Sequence, residues 1–326
     1  MNSSPPYPDD LSQRTQWIRK LRKEIERPNE ASQPAVLLET EPDQNGHPIQ
    51  TGTIFLINRE CPWTCVMCDL WQHTTVKPLP IGHVPRQIKQ AIARLKTEAV
   101  EPIRHIKLYN SGSFFDVGAI PLEDYDGIAS LLDEFDRVIV ECHPKLIGAH
   151  TLEFASMLQP KLEIAIGLET ASDDILRRLN KRFTLSDYEQ ACALLNEHSI
   201  DHRAFVMIQP PFVHPNQTQE LCLKSVQTAF ACGAACVAII PTRITTGAME
   251  ALRQSGDLHP LSLEQVESCF DVALDLKLGR LWLDLWDLEH LQTCSACFAH
   301  RKSRIETMNA TQSIIPKTTC ISCQPG

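Results

Sequence analysis

The chain of 326 residues contains no run of 18 or more apolar residues, so no membrane-spanning helix is expected. It also lacks an excess of positive charge. Its 31 Lys and Arg face 40 Asp and Glu, a formal net charge of −9, which argues against a surface that grips a nucleic-acid backbone everywhere. Met1 to Asp10 is polar and proline-rich, without the basic-then-apolar order of a secretory leader, so the expected location is the cytoplasm. What the chain has in plenty is cysteine, 13 in all, an odd number. In an unsecreted protein, clustered cysteines read as metal ligands and scattered ones as reduced core residues. Cys142, Cys192, Cys222, Cys232, Cys236 and Cys269 belong to the second kind.

The length suits one barrel-sized domain with a small appendage. Leu11, Trp17, Ile18, Leu21 and Ile25 recur near helical period, predicting a helix over 11–26 that ends at Pro28. Residues 27–50, rich in proline, read as a linker or irregular wrap. Then short apolar strands alternate with helices. Strands are predicted at 53–58, 104–109, 137–141, 161–168, 203–208 and 235–240. Helices are predicted at 86–99, 122–134, 151–158, 173–179, 185–198, 217–231 and 262–276. Thr184 with Asp187, and Ser262 with Gln265, resemble capping boxes. The order is that of parallel βαβ units, each crossing over right-handed. The fold class is therefore α/β: a partial (β/α)6 TIM-like barrel with an N-terminal helix and a small C-terminal Cys-rich metal-binding extension. The expected divisions are 1–50, 51–280 and 281–326. Active sites on such sheets form at the C-terminal ends of the strands.

Directly after the first predicted barrel strand comes Cys61-Pro62-Trp63-Thr64-Cys65-Val66-Met67-Cys68, a C-x3-C-x2-C spacing. Thiolates are preferred ligands of iron–sulfur clusters. Three ligands on a four-iron cube leave one iron open, the mark of a catalytic site. The plainer alternative is a zinc site with His73 as fourth ligand.

Other marked residues fall on the same face. Tyr109-Asn110-Ser111-Gly112-Ser113-Phe114-Phe115-Asp116 follows the second strand, and its small residues let a ligand meet the backbone. Glu141-Cys142-His143-Pro144 follows the third, and Gly167-Leu168-Glu169-Thr170 the fourth. A carboxylate at a strand end can accept hydrogen bonds from hydroxyls or an ammonium. Arg203 opens the fifth strand, where a basic residue could pair with a carboxylate. Two basic segments, Arg14 to Lys23 and Arg177 to Arg182, read most simply as solvated helix faces.

These motifs resemble the radical S-adenosylmethionine (SAM) superfamily. The resemblance implies a 4Fe-4S cluster held by Cys61, Cys65 and Cys68, its open iron chelated by SAM, with reductive cleavage to a 5′-deoxyadenosyl radical. It further implies SAM contacts at Met67, at Asn110, Ser111, Gly112 and Ser113, at Glu141 and Glu169, and at Arg203. Asn110–Ser113 stand where relatives often carry Gly-Gly-Glu. Pro241-Thr242-Arg243 and Thr246-Gly247 stand where relatives line the adenine. Phe55 to Cys61, Tyr109 to Asp116, Gly167 to Thr170, Asn180-Lys181 and Pro210-Pro211-Phe212 resemble the branch that groups with the elongator catalytic subunit. Within it, residues of roughly 50–280 are similar to the radical SAM subunit family of archaeosine synthase, which converts a lysine-bearing deazaguanine in tRNA to its amidine. An electron donor of flavodoxin or ferredoxin type is implied, and tRNA and a partner subunit are candidate partners.

At the C-terminus, Cys294-x2-Cys297 and Cys320-x2-Cys323 enclose a 22-residue gap. Two such knuckles can present four thiolates to zinc or to an auxiliary cluster, and His300 could replace one cysteine. Arg301, Lys302 and Arg304 form a local basic cluster between them.

The leading expectation is a radical SAM enzyme acting on a tRNA base. A peptide or small metabolite is the alternative substrate. A non-catalytic zinc-binding interaction protein is the alternative class; it predicts zinc at both clusters and no SAM binding.

Overall fold

The computed structural model describes residues 6–42, 47–291 and 294–323. Eight strands form one sheet in sequence order: β1 (Ala35–Pro42), β2 (Pro48–Phe55), β3 (His105–Tyr109), β4 (Arg137–Cys142), β5 (Lys161–Glu169), β6 (Asp201–Ile208), β7 (Cys236–Pro241) and β8 (Arg280–Leu283). β1 runs antiparallel to β2, and every other neighbouring pair is parallel. The sheet curls into a half-barrel, and β2 to β7 are the six strands read from the sequence.

The helices are α1 (Leu11–Lys20), α2 (His83–Glu98), α3 (Tyr125–Ala129), α4 (Ala149–Met157), α5 (Asp173–Arg178), α6 (Leu185–Glu197), α7 (Thr218–Ala231), α8 (Gly247–Ser255), α9 (Leu263–Asp275) and α10 (Ser295–Thr311). Both expected capping boxes form, at the starts of α6 and α9. Among the described residues no helix is long and apolar enough to cross a membrane.

Several elements depart from expectation. Residues 35–42, read as linker, form a strand: Pro34 and Pro42 bracket it, and an edge position leaves a proline N–H unneeded. The helix expected over 122–134 is one 3-10 turn and the five residues of α3. β8 is too short to show a period, and α10 lies beyond the apolar pattern read from the sequence.

Strand alternation separates two faces. Ile54, Leu108, Val138, Val140, Ile164, Ile166, Ala204, Val206 and Leu281 face the helices and are fully or almost fully buried. Each large one contributes about 1.5–3 kcal/mol of apolar burial. The concave face is polar at its foot. Lys107 Nζ lies 2.8 Å from Glu39 and 2.5 Å from Glu41. Arg137 bridges Glu163 and Asp201 at 2.9 and 2.6 Å. Burial works to raise the Glu41 carboxyl, but Arg203 and Lys107 outweigh it and hold it down at about 2. Arg280, the first residue of β8, donates to the carbonyl of Pro42, the last of β1, at 3.2 Å, closing the foot.

The far edge is closed differently. Leu283 N–H donates to Asn309 Oδ1, and Asn309 Nδ2 donates to Leu283 O, both at 2.8 Å. Gln312 repeats the pattern on Leu281, again at 2.8 Å in both directions. Two side-chain amides thus stand in for a ninth strand, satisfying backbone groups that an open edge leaves unpaired.

Candidate active site

At the other end of the barrel, the chain leaves β2 before the cysteines. Leu56 N–H donates to Tyr109 O at 2.7 Å, and the Gln87 amide pairs with both the N–H and the carbonyl of Ile57 at 2.9 and 2.8 Å. The cysteine loop follows at the C-terminal rim. It is pinned by the turn after α5, more than a hundred residues away in sequence. Val66 N–H donates to Leu179 O at 3.0 Å, and Asn180 Nδ2 donates to Thr64 O at 2.6 Å. Asn180 and Arg182 both take positive φ, 61° and 59°. Non-glycine residues adopt this conformation at a cost that surrounding structure must offset.

Cys61, Cys65 and Cys68 are free thiols, and burial pushes each of them up, Cys68 to about 12. Lys181 acts on all three in the opposite sense and stabilises their thiolates. Its ammonium also lies 2.9 Å from Glu169 Oε1. Glu169 sits at a register irregularity of β5 with φ 63°, which turns its carboxylate over Gly167. A Cβ on Gly167 would lie 2.5 Å from that carboxylate oxygen and 3.0 Å from the Lys181 ammonium.

The segment after β3 packs on the loop. A Cβ on Gly112 would lie 3.2 Å from Cys61 Cβ, so glycine sets this approach. Ser111 has φ 55°. Asn110 is fully buried, and among the described residues neither atom of its amide has a partner. Its backbone N–H favours the Glu141 carboxylate, but burial dominates and raises that group to about 7. Ser113 Oγ accepts from His143 N–H at 3.0 Å. His143 stacks on Trp63 of the cysteine loop, ring centroids 3.8 Å apart. Burial and the nearby Lys181 hold its imidazole down at about 3. Its Nδ1 accepts from Lys145 N–H, so Nε2 carries the proton that meets Lys181 O at 2.8 Å.

Cys61, Cys65, Cys68, Asn110, Ser111, Gly112, Ser113, Glu141 and Glu169 therefore gather at one rim. Met67 is half-buried against a second core made by Trp17, Ile18, Val66, Met249 and Leu252. Arg203 is not among the rim set. It is the third residue of β6, at the foot, where it is bound by Glu163 and lies 3.6 Å from Glu41. The expected pairing of Arg203 with a ligand carboxylate is corrected accordingly, because a residue that opens a strand lies at the end opposite the active face.

Two rim residues escaped the sequence reading. Lys181 appeared there only within a dipeptide motif and a basic segment read as a solvated helix face, with no role at the site. Asn58, three residues before Cys61, is fully buried with both amide atoms unpaired among the described residues. The basic segments prove mixed: Arg14 and Lys181 are buried, and Arg22 pairs with Glu60 at 2.7 Å.

A second centre lies at the C-terminus. Cys294 caps α10 and Cys297 lies in its first turn. Together with Cys320 and Cys323 they bring four sulfurs within 4.8 Å of one another. The pairs Cys294–Cys320 and Cys297–Cys323 are 3.9 and 3.6 Å apart. The basic cluster beside them is neutralised: Arg301 pairs with Glu267, Lys302 with Glu289 and Arg304 with Asp271.

The chain is 27% identical over 255 residues to archaeosine synthase subunit beta of Methanosarcina acetivorans, covering 74% of this chain and 72% of that one. Its fold is that of Streptococcus suis SuiB bound to S-adenosylmethionine (TM-score 0.53, 12% identity, 75% of this chain and 53% of that one). It is likewise that of the archaeal Methanocaldococcus infernus Elp3 (TM-score 0.50, 16% identity, 60% and 51%). The chain spans about half the length of both solved structures. The family model of the radical SAM superfamily matches residues 55–222, the stretch from the end of β2 into α7 that builds the rim. With that stretch and its three-cysteine loop, the chain belongs to the radical SAM superfamily and is an enzyme of it.

Proposed function

We propose that this enzyme modifies a base of tRNA by radical SAM chemistry, with Cys61, Cys65 and Cys68 holding a 4Fe-4S cluster. The observation that carries the reading is the rim itself. Three half-buried thiols of one loop, two fully buried amides without partners among the described residues and one buried ion pair meet at the C-terminal ends of β2 to β5. The donor set fits the group. Three thiolates suit a cube with one open iron, and these three sulfurs do not form the tight knot of the C-terminal four. When bound, the cluster and SAM supply a 5′-deoxyadenosyl radical for hydrogen abstraction. The chain's own residues then bind and orient. Asn110 and Asn58 offer amides to polar groups of SAM, Ser111 and Gly112 bring backbone close, and Glu141 and Glu169 accept from hydroxyls or the amino group. Lys181 is the cation at hand for the SAM carboxylate.

The tRNA assignment rests on the similarity to archaeosine synthase subunit beta, whose name also supports a partner subunit. An electron donor of flavodoxin or ferredoxin type completes the proposal.

The C-terminal four thiolates are proposed to hold structural zinc. A tetrahedron with Zn–S bonds of about 2.3 Å has edges of about 3.8 Å, and the two observed separations bracket that value at 3.9 and 3.6 Å. An iron–sulfur cube sets its ligand sulfurs much farther apart.

The test is iron, sulfide and 5′-deoxyadenosine release after anaerobic purification and reduction with dithionite, for the wild type and Cys65→Ala. The wild type should hold about four irons, release 5′-deoxyadenosine and alter a tRNA base detectable by nucleoside mass spectrometry. Cys65→Ala should lose iron and SAM cleavage with its fold retained. SAM cleavage by Cys65→Ala at the wild-type rate would sink the reading.

A further inference from the structure

The concave face of the half-barrel changes character above its charged foot. Phe55 on β2, Tyr109 on β3, Phe205 on β6 and Trp282 on β8 share that face, each partly open to solvent. Their strand neighbours Ile54, Leu108, Ala204, Val206, Leu281 and Leu283 face the helices and are dry. Tyr109 meets Phe205 edge-on at 6.5 Å. Trp286, just past β8, tilts against Phe55 at 6.4 Å and so spans the gap between the last barrel strand and the first. The residue is 58% exposed, yet its backbone is fixed. Arg243 donates to its carbonyl at 3.1 Å and also binds Asp284, whose carboxylate accepts from Trp286 N–H at 3.0 Å. Among the described residues nothing partners the buried indole N–H of Trp282.

We infer that this aromatic wall is the subsite for a flat heteroaromatic ring, an unstacked nucleobase, presented to the rim that begins six residues after Phe55. The inference rests on the tRNA reading above and names where the base sits. The chemistry favours a ring over a peptide side chain. Ile139, Met207 and Ile240 also lie on this face, but the side chains open to the lumen at Phe55, Tyr109 and Phe205 are rings, and ring faces take up any base by stacking. A base can reach the lumen only out of its own stack, and proteins hold such bases on aromatic faces while reading their edges by hydrogen bonds. The Trp282 ring lies 5.3 Å from the guanidinium carbons of both Arg203 and Arg280, so it forms the floor of the wall where it meets the foot. The rings also suit a chain of net charge −9, because stacking needs no phosphate contact.

The test uses the anaerobically loaded protein, saturated with SAM so that its adenine site is filled, and labelled with 5-fluorotryptophan. The five tryptophans are Trp17, Trp63, Trp71, Trp282 and Trp286, and Trp282→Phe and Trp286→Phe assign two of the fluorine resonances. Adding tRNA should shift the Trp282 and Trp286 resonances and leave Trp17 and Trp71 in place. Trp286→Ala should weaken tRNA binding by roughly 5- to 100-fold while Trp286→Phe retains most of it, and both should cleave SAM without substrate as the wild type does. If tRNA binds by anisotropy with the Trp282 and Trp286 resonances unmoved, the wall is not the base site and the inference is overturned. If no tRNA binds while SAM cleavage persists, the tRNA reading fails on its own, and guanosine added alone decides the wall: shifts at both resonances uphold it, their absence overturns it.

Discussion

Lys181 and Glu169 meet as an ion pair, Nζ to Oε1 2.9 Å, with side chains only 10% and 13% exposed, over the bare α-carbon of Gly167. The pair joins the turn that pins the cysteine loop to the end of β5. Removing one partner of a buried pair costs about 3–5 kcal/mol, because the other charge is left unpaired. Lys181→Met is therefore expected to lower the melting temperature by several degrees and to weaken SAM binding at least about tenfold. Gly167→Ala should have the same effect on SAM with both charges retained, since its Cβ would meet the carboxylate. Calorimetric SAM titration checks both variants; wild-type affinity in both would remove the pair from the site.

Asn180→Ala should loosen the cysteine loop without unfolding the barrel. It removes the 2.6 Å bond to the Thr64 carbonyl, which is worth about 1–3 kcal/mol when the group left behind is buried. Iron should leave the variant faster than the wild type when a chelator is added anaerobically, while far-ultraviolet circular dichroism stays unchanged. Equal release rates would show that the Leu179–Val66 bond alone holds the loop.

Glu141 makes stability depend on pH. Burial raises its carboxyl from an ordinary 4.5 to about 7. The folded state therefore keeps the proton that the unfolded chain releases, and stability falls as pH rises from about 4.5 to about 7. At roughly 1.4 kcal/mol per unit the decline reaches at most about 3 kcal/mol. Glu141→Gln should remove this part of the slope and stabilise the apo protein at pH 8. Melting temperatures from pH 5 to 8 for both proteins decide it, and parallel curves would refute the burial argument.

Zinc at Cys294, Cys297, Cys320 and Cys323 should be bound one per chain. A Cys320→Ser, Cys323→Ser double variant should lose it and keep the iron. Because α10 carries the amides that cap β8, amide exchange at Leu281 and Leu283 should rise in that variant. Asn309→Ala, which strips one cap and leaves the Leu283 backbone unpaired, should raise exchange at Leu283 with zinc still bound. Iron in place of zinc at this centre would assign it to redox chemistry instead.

What was legible in the chain was what is local. The spacing of Cys61, Cys65 and Cys68 lies within one loop, so one short segment brings the three thiols together. The C-terminal knuckles do the same within each pair. The strands β2 to β7 showed because each carries its own apolar run, and the capping boxes because they close within four residues. Arg203 was misplaced because a strand end has two sides, and its place near the start of β6 puts it at the foot. β1 was missed because flanking prolines read as linker, although an edge strand tolerates them.

The amino-acid order by itself determined the three-cysteine loop, the βαβ repeat and the polarity of the sheet, since spacing, period and chain direction are written along the backbone. Only the tertiary structure decided that the turn at Leu179–Arg182 would seat Lys181 beside cysteines more than a hundred residues earlier. It likewise decided that Asn309 and Gln312 would act as a strand, and that aromatics from four strands and a loop would share one face. The last of these depends on the curl of the sheet, and no local signal records where a curled sheet will close.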